Sequence, residues 1–394
     1  MQPVFVLAIA ASVVLALLAQ SALLRTRQAM PCVPLFLSAC VIGGLVAFKL
    51  TPPPLAFGRF KPAERAFGWE IVLALGTAAN AACLVFFARN LRLTEAWLLF
   101  AASVVAIAVA FWLLDGRPGL RADWRAEAPW LVGLGVLTVV GTVLRLIWLG
   151  NVPAGLWFDE AFSGLQVQRI LADGSFRPVY VSGLAQEPSM LWYFMAASFK
   201  LLGPTLLALR LPTAIGGVVG IIAVFLLGRE LFSRRVGLIA AGLLSTLVWQ
   251  LTFSRLAFNS VWSVSVDALG LFFLVRAARK GSWTAAALAG VSLGLGLHLY
   301  YTSRLMILVA GFALITLWLA RAKPHFHAIW RVVLAAIVAG LITGSPIGEF
   351  ALLHPAEFNN RLDQASIFRE VQASHSYAPI ISNIKAHFLM FNYA

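Results

Sequence analysis

Long apolar runs, separated by short polar or basic stretches, follow one another along most of the chain. About twenty apolar residues suffice to cross the hydrocarbon core of a bilayer as an α-helix. Backbone groups must be hydrogen-bonded internally in lipid, and the alternation typical of barrel strands is absent, so the runs are predicted to be helices. The predicted spans are Val4 to Leu24 and about 34–50, 69–88, 96–114, 130–149, 211–228, 236–253, 260–277, 283–300, 304–320 and 328–346. The pattern predicts an all-α, polytopic membrane protein of about eleven transmembrane helices.

A stretch at about 150–210 interrupts this series, because it holds few runs long enough to span a bilayer. It begins with the adjacent acids Asp159 and Glu160. Its apolar run Leu191 to Leu202 is too short to cross the membrane and contains the Trp192-Tyr193 pair near its start. That combination predicts a helix lying at the membrane interface.

Basic residues between the spans predict the orientation of the chain, because cytoplasmic loops carry an excess of Lys and Arg. The loops that satisfy this rule together contain Arg117/Arg121/Arg125, Arg229/Arg234/Arg235, Arg276/Arg279/Lys280 and Arg321/Lys323/Arg331. With these in the cytoplasm, residues 150–210 form a large first extracytoplasmic loop. The first hairpin fits less well, since Arg25 and Arg27 then fall outside.

The composition agrees with a membrane protein and excludes two other classes. Hydrophobic residues make up 61% of the chain and charged residues 12%, with a mean hydropathy of +0.87, whereas soluble domains are about half apolar and a quarter charged. The formal net charge of +14 does not indicate nucleic acid, because the basic residues punctuate apolar runs rather than cluster on a polar domain. Cys32, Cys40 and Cys83 lack metal-ligand spacing and are predicted to be buried apolar residues.

Polar residues collect at the predicted outer ends of the spans. They are Asp159, Glu160, Glu187, Arg210, Arg255, Asn259, Tyr300, Tyr301 and Arg304. Charged groups at a membrane surface are costly unless paired or hydrated, so a gathering of acids and arginines predicts a functional site.

This mixture of side chains fits a particular chemistry. Arginine presents a fork of donors that matches phosphate oxygens, and a carboxylate either holds a hard divalent cation or takes a proton from an attacking hydroxyl. We therefore expect a lipid-phosphate substrate, such as a sugar on a polyprenyl phosphate.

An ordered series of motifs resembles the GT-C class of membrane glycosyltransferases, in the branch that holds protein O-mannosyltransferases and the lipid A aminoarabinose transferases. The series is the acidic pair in WFDE, the acid before Pro188, LRLP, GRELFSRRVGLIAA, FSRLAFN, LGLHLYYTSR and SPIGEFALLHPAEF. The resemblance covers about residues 130–394. It implies an inverting transfer of one sugar from a polyprenyl-phosphate donor to a protein, lipid or polysaccharide acceptor outside the cytoplasm, by a multi-pass protein of the cell membrane.

The resemblance also implies roles for single residues. Asp159 matches the acid that acts as catalytic base or orients the acceptor, and Glu160 beside it serves either structure or a metal. Glu187 matches an acid or histidine tied to a divalent metal or to the acceptor, although this branch more often has His-Pro-Pro at that point. Arg255 and Arg304 match basic residues near the donor phosphate, Tyr301 lies beside the latter, and Arg210 is expected to bind the same phosphate. The implied cofactor is a divalent cation, Mg²⁺ or Mn²⁺, held by Asp159 and Glu187.

The resemblance divides the chain into two parts. Residues 1–128 carry no matching motif and are predicted to be a four-helix membrane block of unknown role, whereas 129–394 form the GT-C-like catalytic domain. The apolar stretch from Ile380 to Met390 resembles an interfacial helix, and the chain ends without a polar tail, which favours a fragment of something longer.

Other readings of the sequence remain open. A transporter or flippase for a lipid-linked sugar would show paired repeats with broken helices and a site near the bilayer midplane, and a non-catalytic scaffold would keep the fold alone. Asp159 and Glu160 could also simply start a helix, since acids are favoured in a first turn. We expect His298 to be a hydrogen-bonded helix residue rather than a ligand, and Asp267 to have no catalytic role.

Overall fold

The computed structural model describes residues 68–116, 124–182, 186–319 and 326–389. The two predicted spans before residue 51, with Cys32 and Cys40, lie outside the described residues. The described part is almost entirely helical, as the all-α prediction requires. Gly68 to Asn359 belong to one compact unit, and a second unit begins at Asn360.

The elements follow one another with short connections. They are α1 (Trp69–Ala88), α2 (Leu93–Leu114), α3 (Trp124–Leu146), α4 (Phe158–Ala172), β1 (Tyr180–Val181), β2 (Glu187–Pro188), α5 (Met190–Leu202), α6 (Leu206–Leu231), α7 (Arg234–Thr246), α8 (Val248–Ser254), α9 (Ser260–Lys280), α10 (Trp283–Leu299), α11 (Ser303–Leu319), α12 (Phe326–Leu353), α13 (Pro355–Ala365), α14 (Ile367–Ser374) and α15 (Ala378–Leu389). The two strands pair antiparallel, with Tyr180 opposite Pro188 and Val181 opposite Glu187.

Six of the described helices are long and apolar enough to cross a membrane: α1, α2, α3 from Glu127, α6, α9 and α12 from Trp330. Helices α7 and α8 make a seventh if they count as one span, broken by a bend of 59°. The chain is a multi-pass membrane protein, but eleven spans are not confirmed. Helices α10 and α11, predicted as spans, are short apolar helices by the same measure.

Helix α10 lies deep in the bundle, which its small residues explain. A Cβ on Gly290 would collide with the Ala336 carbonyl oxygen of α12, and one on Gly294 would lie 2.7 Å from the Thr343 Cβ. Side chains of α2, α9, α10 and α12 share one hydrophobic core, which includes Ile107, Leu274, Ala287 and Val332. Helix α2, which belongs to the predicted N-terminal block, therefore packs directly against α10.

Helix α5 is the predicted interfacial helix, and one of its faces is covered by protein. Leu191, Trp192 and Met195 are fully buried, and the Trp192 indole N–H donates to the Ser163 hydroxyl of α4 at 3.2 Å. Exposure is concentrated at its end, where Leu201 is 83% exposed. The helix is thus a buttress for α4, and α4 begins with the acidic pair.

Charged residues tie the helices together at one end of the bundle. Glu127 of α3 pairs with Arg229 of α6 and Arg234 of α7, and Glu230 pairs with Arg276 and Arg279 of α9. The site residues Arg210 and Arg255 lie at the other ends of α6 and α8. Because α3 and α6 each span about 30 Å or more at the helical rise, the two charged layers are separated by the thickness of the bundle.

The second unit contains the rest of α13 with α14 and α15. Ile381 and Ile384 of α15 are exposed. The predicted interfacial helix at 380–390 is therefore helical as far as Leu389 and shows apolar side chains on its surface.

Candidate functional site

A buried ion pair holds the start of α4 against α6. The Glu160 and Arg210 side chains are both fully buried. Arg210 Nε donates to Glu160 Oε1 at 2.8 Å, and its Nη2 donates to Oε2 at 2.9 Å, the two-pronged geometry that suits arginine and carboxylate. Glu160 also accepts the Trp157 backbone N–H at 3.1 Å, as a third helical residue does when it closes the first turn.

The remaining N–H groups of Arg210 donate hydrogen bonds to the loop that leads into α4. Nη1 donates to the carbonyls of Leu149 at 3.2 Å and Pro153 at 2.9 Å, and Nη2 donates to that of Gly155 at 2.8 Å. All five N–H groups of its guanidinium are thereby engaged within the protein. The predicted phosphate-binding role of Arg210 would require it to give up one of these partners.

Asp159 has the opposite environment from its neighbour. It is exposed in the first turn of α4. The N-cap of the helix is Trp157, so Asp159 is not the capping residue. Among the described residues it forms neither a hydrogen bond nor an ion pair. The Asp159 carboxylate therefore faces the solvent at the N-terminus of a helix, where it can contact a ligand.

Arg255 lies beside this pair, at the end of α8. Its Nη1 donates to the Leu144 carbonyl, and its Nη2 donates to the Ile147 carbonyl, both at 2.6 Å. These are carbonyls at the C-terminal end of α3, which lack partners within the helix. Nη2 of Arg255 also donates to the Val152 carbonyl at 3.0 Å, next to the Pro153 carbonyl that Arg210 binds, so the two arginines hold adjacent carbonyls of one loop. Burial, and secondly the positive charge of Arg210, lower the pKa of Arg255.

A second cluster surrounds the two short strands, with Glu187 in β2 and Arg304 bonded to β1. Arg304 stacks on the Phe358 ring, 3.7 Å from its centroid, and its side chain is hydrogen-bonded to Tyr180 of β1. Glu187 sits in β2, half-buried. Tyr301 is also half-buried and packs on Tyr300, with ring centroids 4.4 Å apart.

One turn joins the two clusters. The Ala257 backbone N–H donates to Glu160 Oε1 at 3.0 Å, and two residues later the Asn259 side-chain amide donates to the Pro188 carbonyl at 3.4 Å. The turn between α8 and α9 therefore contacts the anchor of the acidic pair and the strand that carries Glu187. The structure brings Glu160 and Arg210 into direct contact and ties Arg255 to the same loop as Arg210. The turn links them to the strand of Glu187, and Arg304 contacts Tyr180 of the paired strand.

Acids and arginines are equal in number in these clusters, but they are not all paired with one another. Within the described residues Arg255 and Arg304 form no ion pair with a carboxylate, and only Arg210 is neutralised, by Glu160. Two arginines without a carboxylate partner, at one end of the bundle, favour an anionic ligand.

A metal site is not assembled by the protein in this part of the chain. No three His, Cys, Asp or Glu side chains among the described residues are grouped so that they could hold a metal ion. Asp159 and Glu187 thus lack a third protein ligand here, whereas hard divalent cations take six or more oxygens. The divalent cation stays a prediction, and no step below depends on it.

One residue of the site was missed in the sequence. Arg145 of α3 is fully buried and contacts the region where α7 and α8 meet. The sequence contained a signal for Arg145, since a charged residue inside a predicted membrane span marks a functional or structural constraint.

His298 forms the hydrogen bond that the sequence analysis expected: its Nε2 lies 2.8 Å from the Thr343 carbonyl oxygen. Asp267 accepts a hydrogen bond from the Ser303 hydroxyl.

Comparison with known proteins finds a similarity in the middle of the chain. Residues 186–342 match the family model described as dolichyl-phosphate-mannose-protein mannosyltransferase, and no curated protein matches the chain. The matched segment contains Glu187, Arg210, Arg255 and Arg304, whereas Asp159 and Glu160 precede it. Together with the apolar helices, the match confirms that this chain resembles the GT-C membrane glycosyltransferases of the dolichyl-phosphate-mannose-protein mannosyltransferase family.

Proposed function

We propose that the chain moves a sugar from a polyprenyl-phosphate donor to an acceptor outside the cytoplasm, with inversion at the sugar. The proposal rests on the different environments of two neighbouring acids. Glu160 is fully buried and bound to Arg210, whereas Asp159 is exposed and unbound within the described residues. The fixed acid positions the free one at the bundle surface.

In the proposed reaction the Asp159 carboxylate takes the proton of an acceptor hydroxyl. The acceptor oxygen forms a bond to the anomeric carbon of the sugar from the face opposite the phosphate. The bond between that carbon and the phosphate oxygen breaks, and the electron pair leaves with the polyprenyl phosphate. The sugar is thereby transferred with inverted configuration.

The leaving phosphate gains negative charge, and this is where the arginines would act. Arg255 and Arg304 carry charges that no carboxylate of the described residues neutralises, so they are suited to stabilise the departing phosphate. Arg210, in contrast, is fully engaged with Glu160 and three carbonyls. We therefore assign Glu160 and Arg210 to positioning, and the direct contacts to Asp159, Arg255 and Arg304.

The test uses Asp159→Asn in membranes, with a panel of polyprenyl phosphates that carry different radiolabelled sugars. Loss of a general base lowers a rate by about 10²–10⁴-fold, so we expect release of polyprenyl phosphate to fall by about that factor. Asp173→Asn is the matched control, because Asp173 is a half-exposed acid just after the other end of the same helix. The Asn Oδ1 can still accept the two hydrogen bonds from Ser175, so this variant should turn over at the wild-type rate.

Two results would contradict the proposal. Wild-type turnover by Asp159→Asn would remove this carboxylate from the chemistry. Relocation of every labelled donor across the membrane without release of polyprenyl phosphate would favour the transporter. That alternative draws on one observation, the broken pair α7 and α8, which has no counterpart among the described helices.

A further inference from the structure

Arg145 takes no part in the transfer step proposed above, and yet it is one of the largest fully buried side chains. It forms no ion pair with a carboxylate of the described residues. A buried charge in a membrane span is costly unless its donors are satisfied. The groups that satisfy it therefore indicate what this residue holds in place.

Its donors bridge the break between α7 and α8. Nη1 donates to the Gly141 carbonyl at 3.0 Å and the Ser245 carbonyl at 3.1 Å, and Nη2 donates to the Leu244 carbonyl at 3.1 Å. Leu244 and Ser245 belong to the last turn of α7, where carbonyls lose their helical partners. Nε donates to the Ser254 hydroxyl at 3.3 Å. Arg145 thus binds both halves of the broken helix.

Two glycines make room for this side chain. A Cβ on Gly217 of α6 would lie 2.7 Å from Arg145 Nε, and a Cβ on Gly141 would lie 3.2 Å from its Nη1. The guanidinium therefore fills a fitted space among α3, α6, α7 and α8.

A second hydrogen bond joins the same two helices in the opposite direction, from α8 to α3. Arg255 follows Ser254 and donates to the Leu144 carbonyl, which belongs to the residue immediately before Arg145. Two adjacent residues of α3 and two adjacent residues at the end of α8 therefore bind each other in both directions. In the turn that follows α8, the Ala257 N–H donates to Glu160. The position of α8 therefore affects Glu160, which holds the start of α4.

We propose that Arg145 is a positioning residue that holds the bend between α7 and α8 and thereby places Arg255 for the reaction. The effect of Arg145 on the reaction rate rests on the proposed function. Its effect on the bend between α7 and α8 rests only on the contacts described above. Lysine at this position keeps the charge but cannot bind four acceptors in one plane.

A double-mutant cycle distinguishes positioning from a general loss of stability. The variants are Arg145→Lys, Arg255→Gln and the two combined, assayed for release of polyprenyl phosphate. We expect each single change to lower the rate by about tenfold or more, and the combined change to match Arg255→Gln to within about twofold, because coupled residues are not additive. Fully additive losses would overturn the inference.

Hydrogen exchange supplies a readout that does not depend on turnover. In Arg145→Lys we expect faster exchange in peptides covering 244–257, with no change at α10, because loss of the bridge permits local opening. Arg276→Lys, an arginine at the opposite end of the bundle, is the matched control and should leave 244–257 protected. Unchanged exchange in Arg145→Lys would overturn the inference, whereas a wild-type protein without turnover would overturn only the proposed transfer.

Discussion

Asp159 and Glu160 are chemically similar neighbours that differ completely in environment. Successive residues of an α-helix point about 100° apart, so when one acid of α4 faces the protein the other is turned away. The buried residues of this helix are Glu160, Ser163, Val167 and Ile170, a spacing of three and four residues that defines one face. The sequence did not define this face, because the apolar residues Phe158 and Leu165 of the same helix are 69% and 63% exposed.

The partner of Glu160 was less predictable. Arg210 was expected at the same membrane level, but its carbonyl partners at Leu149, Pro153 and Gly155 depend on how the loop before α4 folds back. Loop paths of this kind follow from tertiary contacts rather than from local residue pattern. The sequence therefore predicted the gathering of charges better than it predicted the role of each.

Breaking the buried pair should destabilise the protein strongly. Glu160→Gln leaves Arg210 as a buried charge without a counter-charge, which costs about 3–5 kcal/mol. Unfolding of the purified protein in detergent should therefore begin at a clearly lower temperature. Glu357→Gln is the control, because Glu357 is half-exposed in a pair with His354, and it should unfold as the wild type does. Equal stability of Glu160→Gln and the wild type would contradict the anchoring role.

At the scale of elements, the break between α7 and α8 is the clearest departure from expectation. The sequence predicts one span at 236–253, and no proline or glycine marks the break at Leu247. The carbonyls of Leu244 and Ser245 are instead satisfied by Arg145, on a helix about a hundred residues earlier. A bend stabilised from so distant a position leaves no local signal.

The fit around Arg145 can be tested without removing its charge. Gly217→Ala places a Cβ against Ser254 and 2.7 Å from Arg145 Nε, so we expect a loss of about 1–3 kcal/mol in unfolding free energy. Gly135→Ala in α3 is the matched control, since a Cβ there meets nothing within 4 Å. It should be neutral or stabilise by up to about 1 kcal/mol. Equal stabilities for the two variants would argue against a fitted space.

At the scale of the whole molecule, charge separates into two layers. The basic loops predicted to be cytoplasmic contain Arg229, Arg234 and Arg276, and these form the ion pairs at one end of the bundle. The candidate site lies at the other end. Counting basic residues predicted this separation well, because loop charge is a composition signal. The number of spans was predicted less well. An apolar helix that is buried among others, such as α10, can be shorter than the bilayer is thick.

The compartment faced by each layer is a further prediction. Cysteines at Ala154 and Phe232 would mark the two ends, since both residues are exposed. In a background without Cys32 and Cys40, we expect a membrane-impermeant maleimide to label Ala154→Cys on intact cells and Phe232→Cys only after permeabilisation. The buried Cys83 should stay unlabelled in both. The reverse pattern would place the candidate site in the cytoplasm.

The distance between the two charged layers sets the length of the apolar part of the bundle. Glu127 and Arg145 mark the ends of a stretch of α3 that is about 27 Å long at the helical rise, close to the roughly 30 Å of a hydrocarbon core. A bilayer much thicker than this would draw lipid tails over the arginines, and a thinner one would expose apolar surface unless the helices tilt. Because the acidic pair and the bent helix are tied to one end of this stretch, hydrophobic mismatch would act on the candidate site as well as on the ion pairs at the other end.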